Sequence, residues 1–197
     1  MKILGLTGGS GVGKSAAGAV FAARGCGVLD ADASYRELCD TCTPMLKEIQ
    51  SVFHDVLTTN GKLDRRKLGA LVFSDPEKLA QLNAITHPYI KQAARDAFAR
   101  MEAEGVPLAV YDAPVLFEAE ADAWCDVTAA VLADRETRIQ RIMARDNIAH
   151  DYAALRIDAQ HDDEWYRSRC DFCLMNNGDL EALRQQVNTV IDTILSK

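Results

Sequence analysis

A chain of 197 residues that is 48% hydrophobic, 26% charged and 7% aromatic has the composition of an ordinary globular protein and the length to bury a sizeable core. No apolar run reaches the roughly 18 residues of a membrane span, and the apolar start is too short for a secretory leader, so the expected setting is cytoplasmic. The net charge of -7 argues against broad binding to nucleic acid or membrane surfaces, so a polyphosphate ligand would need positive charge concentrated locally.

The first predicted strand, Lys2–Thr7, runs straight into "LTGGSGVGKSA", residues 6 to 16. Glycine is unfavourable wherever a Cβ is tolerated, so this cluster marks backbone that turns tightly or approaches something closely. Gly8, four residues, then Gly13-Lys14-Ser15 is the phosphate loop G-x-x-x-x-G-K-[ST]. Its flanks agree: an apolar strand precedes it and a helix is expected over Ala16–Arg24. Loop N–H groups and the positive end of that helix would face a nucleotide's phosphates. Lys14 would reach the β- and γ-phosphates, and the Ser15 hydroxyl would ligate Mg2+.

The second predicted strand, Gly27–Asp30, ends in "LDAD". An aspartate at a strand-to-helix junction is ordinarily an N-cap, the reading for Asp30, whereas Asp32 is a candidate general base. From about Arg36 to Glu104 the chain shows helical periodicity and no good strand, which reads as a helical insertion. A third strand, Leu108–Tyr111, leads to Asp112, a Walker-B type carboxylate for Mg2+, with plain capping as the alternative. The fourth strand is Val127–Leu132. After it, "DRETRIQRIMARD" carries Arg135, Arg138, Arg141 and Arg145, the last three within roughly 60° of one helix face. A forked, unbalanced arginine stripe favours a phosphate-facing lid over a solvated surface. The last strand, Asp171–Met175, ends in "MNNGD", turn-type residues that are ordinarily loop formers, at the edge where a nucleotide base would lie. Strands alternating with helices predict an α/β fold: a parallel five-stranded sheet flanked by helices, with its ligand at the carboxyl ends of the strands.

Six cysteines include Cys39-x-x-Cys42 and Cys170-x-x-Cys173. A four-thiolate zinc site is disfavoured: the first pair lies in helix-like sequence, and the second enters a strand-like run that would point its members to opposite faces. Small buried apolar side chains in a reducing compartment are expected instead.

The ordered set "GLTGGSGVGKS", "DADASYR", "NGKLDRRKLGALVFSDPEKLAQLNAITHPYI", "DAPVLFE", "RIMARD", "RIDAQ" and "NNGD" resembles the dephospho-CoA kinase family over nearly the whole chain. The resemblance implies a P-loop kinase that uses ATP to phosphorylate the ribose 3′-hydroxyl of dephospho-CoA, giving CoA and ADP in the last step of CoA synthesis. It implies a single kinase domain with a core at 1–35, 106–134 and 164–197. A helical acceptor-side insertion would span about 36–105 and a lid about 135–163. Gly11, Val12, Gly13, Lys14, Ser15 and Ala16 would cradle ATP, with Lys14, Asp32 and Arg141 carrying the transfer. Arg141 and Arg145 would be lid arginines, and Asn177 and Gly178 would lie near the adenine. Asp32, Arg36, Arg65, His87 and Glu118 would face the acceptor, and Ser15 and Asp112 would serve the metal. ATP and dephospho-CoA are the partners implied, with no nucleic acid and no membrane, in a monomer or small homo-oligomer.

Ala16 stands where the family commonly has Thr, Val115 where Leu is usual, and Cys42-Thr43 where a Gly-containing turn precedes Pro44. Two rivals share the core. A shikimate-type kinase is disfavoured by the long helical insertion, and a GTP-driven switch by the lack of an N-K-x-D guanine motif.

Overall fold

The computed structural model describes residues 1–196. Its near-continuously apolar strands β1 (Lys2–Thr7), β3 (Leu108–Asp112) and β4 (Val127–Leu132) form the interior of a sheet, where both faces must be covered. With β2 (Gly27–Asp30) and β5 (Phe172–Met175) at the edges, the order is β2-β3-β1-β4-β5. The β1–β3, β1–β4 and β4–β5 pairs are parallel. β1 is therefore central, and the chain leaves it to one side before returning to build the other. That reversal opens a crevice at its carboxyl end, the place where such sheets bind ligands.

By contact the chain divides into two units, Met1–Leu29 with Met101–Lys197, and Asp30–Arg100. In the first, α1 (Lys14–Ala23) and α9 (Leu180–Leu195) lay Phe21, Val187 and Ile191 on Leu4, Leu6 and Val131 of the sheet. Helices α6 (Arg135–Asp146) and α7 (His150–Asp158) join through Ile139, Ile142, Ala153 and Ile157. The short α8 (Asp163–Arg167) brings Tyr166 onto Ala130 and Leu132.

Two strand limits differ from the sequence reading. β3 continues through Asp112, while β5 begins only at Phe172, because the Asp171 carboxylate turns away to accept from Thr128 N and Oγ1 at 2.8 and 2.9 Å. The expected division of Cys170 and Cys173 to opposite faces consequently fails. Alternation holds only inside a strand, Cys170 precedes it, and both side chains pack on the Ala130–Leu132–Tyr166 cluster. Burial there pushes the Cys170 thiol up to about 12.

The second unit is helical: α2 (Ala31–Thr41), α3 (Thr43–Val52), α4 (Arg65–Val72) and most of α5 (Pro76–Ala103). Asp30 caps α2 by accepting from Ala33 N at 2.9 Å, and Asp64 caps α4 by accepting from Lys67 N at 3.0 Å. Met45, Ile49, Val56, Leu68 and Val72 form the core. Between α3 and α4, Leu57 pairs with Leu63 in an isolated antiparallel bridge. Cys42 takes φ -81°, so the turn into α3 has no need of glycine.

Phe21 is fully buried at the centre of the first unit's core. Phe21→Ala should cost about 3–5 kcal/mol of stability, measured as a lower urea midpoint at unchanged m-value.

Candidate active site

Residues 8–13 form the loop from β1 to α1, and α1 begins behind Gly13, which is left-handed (φ 89°) and carries no capping side chain. Ala16 and Ala17 N–H donate to the Gly13 carbonyl, which leaves the Lys14 and Ser15 N–H groups to a ligand. Gly11 (φ 79°) and Gly13 are fixed as glycine by more than conformation. A Cβ would meet the Arg138 carbonyl at 2.6 Å in the first case and collide with Asn176 Nδ2 in the second. Helix α6 and the end of β5 press on the loop from outside.

That approach is made by hydrogen bonds to successive loop carbonyls. Arg138 Nε donates to Ser10 O at 2.9 Å, and Arg141 Nη1 donates to Gly11 O and Val12 O at 3.3 and 3.2 Å. Asn176 Nδ2 donates to the same Val12 O at 2.8 Å, and Arg141 Nη2 donates to Asn176 O at 2.9 Å. The arginine stripe therefore divides. Arg138 is buried behind the loop, Arg141 straddles it, and Arg145 pairs with its neighbour Asp146 at 2.7 Å. Asp146 also takes Arg156, and its carboxyl is held down to about 2, first by the hydrogen bond from Arg145.

Lys14 opens α1 and pairs with the Asp112 carboxylate at the end of β3. The register explains the meeting: Asp112 lies beside Leu6 of β1, one residue before the turn into the loop. Both side chains are largely buried, 16% and 9% exposed, so the pair is screened little by water. Ser15 follows in the same turn of α1 and is exposed.

Past β3, Glu118 meets His161 at 3.3 Å, and the His161 ring stacks on Trp165 at 3.7 Å. This ties the "DAPVLFE" loop to the segment between α7 and α8. Asn177 Oδ1 accepts from Asp134 N at 2.7 Å, and Gly178 is exposed beside it. Sequence reasoning named these two and passed over Asn176, whose side chain reaches the loop. It also passed over Gln160, visible only as the last letter of "RIDAQ".

In the helical unit, Asp32 and Arg36 stand one turn apart on α2, both exposed. Arg65 and His87 line one cavity of about 430 Å³, together with Tyr35, Leu68, Phe73 and Ile90; Arg36 does not.

If Lys14 neutralises phosphate charge, Lys14→Ala should lower phosphoryl transfer by about 10²–10³-fold, the scale of losing one aimed donor. A steady-state ADP-release assay checks this, with circular dichroism confirming a folded protein.

A family model described as dephospho-CoA kinase matches residues 2–182. A dephospho-CoA kinase of Anaeromyxobacter dehalogenans is 41% identical over 192 residues, 97% of this chain and 91% of that one. A crystal structure of a Thermus thermophilus protein superposes with TM-score 0.85 at 33% identity, covering 100% of this chain and 98% of that chain. The structure of the dephospho-CoA kinase from Campylobacter jejuni gives TM-score 0.73 at 27% identity, with the same coverage of both chains. With a glycine loop held open at the end of β1 and these likenesses along its length, the chain belongs to the dephospho-CoA kinase family.

Proposed function

We propose that the chain transfers the γ-phosphoryl group of ATP to the ribose 3′-hydroxyl of dephospho-CoA, producing CoA and ADP. The observation that supports this most is the loop from β1 to α1, with Lys14 directed at the β3 carboxylate and its glycines pressed by α6. ATP lies along Gly11 to Ala16, its phosphates at the N-terminus of α1 and its base toward Asn177 and Gly178. Arg141, held on the loop carbonyls, keeps its positive charge beside the nucleotide's phosphates and carries the transfer with Lys14 and Asp32. Arg145 belongs to the segment that closes over the phosphates, about 135–163.

Ser15 and Asp112 are hard oxygen donors of the kind that hold Mg2+ through few protein ligands, with waters and phosphates completing the shell. When bound, the ion supplies charge neutralisation on the β- and γ-oxygens. Lys14 adds a fixed positive charge on the same oxygens. Asp32, two residues beyond the carboxyl end of β2, accepts a hydrogen bond from the attacking hydroxyl, aligns it and takes its proton.

The helical unit supplies the acceptor side. The cavity between α4 and α5 has chiefly apolar walls, which suit the uncharged arm of the acceptor, while Arg65 suits its diphosphate. Arg36, His87 and Glu118 complete the acceptor contacts. Cytoplasmic work as a monomer or small homo-oligomer fits this reading, and among the described residues no helix is long and apolar enough to cross a membrane.

A coupled ADP-release assay with dephospho-CoA, no acceptor and unrelated alcohols tests the reading; release that ignores the acceptor's identity would contradict it. In the same assay Asp32→Asn should cut kcat by about 10²–10⁴-fold, the usual share of a general base, while KM for ATP stays near wild type. The cap of α2 is Asp30, so a role for Asp32 limited to favouring the first turn of that helix predicts a small loss of stability and no loss of rate.

A further inference from the structure

Ser10 is gripped on every polar atom. Its N–H donates to Gln160 Oε1 at 2.9 Å, its carbonyl accepts from Arg138 Nε at 2.9 Å, and its hydroxyl lies 3.4 Å from Gln160 Nε2. Arg138 Nη2 closes the ring by donating to the same Gln160 Oε1 at 2.8 Å. Arg138 is 5% exposed, yet these two bonds go to a carbonyl and an amide, neither of them charged. Among the described residues no carboxylate forms an ion pair with it, so its positive charge faces a loop built for anions with only longer-range compensation. Burial lowers the Arg138 pKa, with nearby Asp163 opposing.

A second observation concerns the space around the same two side chains. Gly9 lies between the motif's required glycines, and its φ is not in the left-handed range. A Cβ there would nonetheless meet Arg138 Nη2 at 2.5 Å and Gln160 Oε1 at 2.8 Å. The hydrogen-bonded Arg138–Gln160 pair occupies the space that a side chain at residue 9 would need.

Peptide geometry says what the grip achieves. In a trans peptide the C=O and the next residue's N–H point in opposite directions. Holding Ser10 O outward turns Gly11 N–H inward, and holding Val12 O outward does the same for Gly13 N–H. We propose that Arg138 and Gln160 are positioning residues for the nucleotide: together they hold the Ser10 peptide turned so that the loop's N–H groups converge on the phosphates. Gln160 directly follows the turn that ends α7, so the same ring couples that helix to the loop.

The proposal rests on the loop taking ATP and is tested with Mg–ADP by calorimetry, without acceptor, alongside steady-state kinetics. Gln160→Ala should raise the Kd for ADP and the KM for ATP by about 10- to 100-fold, the size of a hydrogen bond to a charged group. KM for dephospho-CoA should stay within about twofold, a split that a generally loosened protein would not show. Gly9→Ala displaces the same pair without touching Gln160, so it should give the same rise, and the double variant should lose little more than either single. Wild-type nucleotide affinity in both single variants would overturn the proposal. So would fully additive losses, or equal weakening of both substrates together with a lower Tm. A failed acceptor assignment would appear only in the ADP-release assay, leaving ADP binding intact.

Discussion

A phosphate loop works only if its backbone N–H groups converge, and convergence is unfavourable for a free chain. The dipoles repel, and glycine surrenders more conformational entropy than any other residue when it is fixed. Here the constraint is met from outside. The carbonyls of Ser10, Gly11 and Val12 are held by Arg138, Arg141 and Asn176, and each trans peptide then presents its N–H on the opposite side. The sheet order brings the clamps within reach. β4 and β5 flank β1 on one side, and α6 and the Asn176 turn leave their carboxyl ends beside the loop.

The same arrangement places positive charge where an acidic chain needs it. Arg138 and Arg141 direct these bonds to neutral oxygens, so their charges remain effective at the loop. Farther along α6, Arg145 is matched by Asp146, which also binds Arg156, and Arg135 is matched by Asp158 at 2.9 Å. The unbalanced part of the stripe is therefore its inner end. On the other wall Lys14 meets Asp112, a pair whose low exposure makes it sensitive to any anion that enters.

Much of this was legible in the sequence. The loop, the strands and the Asp30 cap depend on local spacing and periodicity, which a linear reading records well. The arginine periodicity of α6 was legible too, but not its use: helical geometry places side chains on a face, and whether that face looks at solvent, phosphate or backbone depends on a loop 128 to 130 residues away in the chain. Gln160 and Asn176 carried no signal, because an amide side chain suits a loop as well as it suits a buried contact. Gly9 did carry one: a glycine run longer than the motif requires points to crowding, although it does not say by what. The cysteine expectation failed by a single residue of strand limit, since alternation reverses meaning wherever a strand begins late.

The central claim is that the loop is shaped by its outer hydrogen bonds and that the nucleotide enters a cradle already formed. A crystal structure of the ADP complex tests it most directly. The account predicts that Ser10, Gly11 and Val12 keep their carbonyls on Arg138, Arg141 and Asn176 while Gly11 and Gly13 N–H bond the phosphates. Carbonyls released from those side chains, with Arg138 turned to grip phosphate oxygens instead, would contradict it.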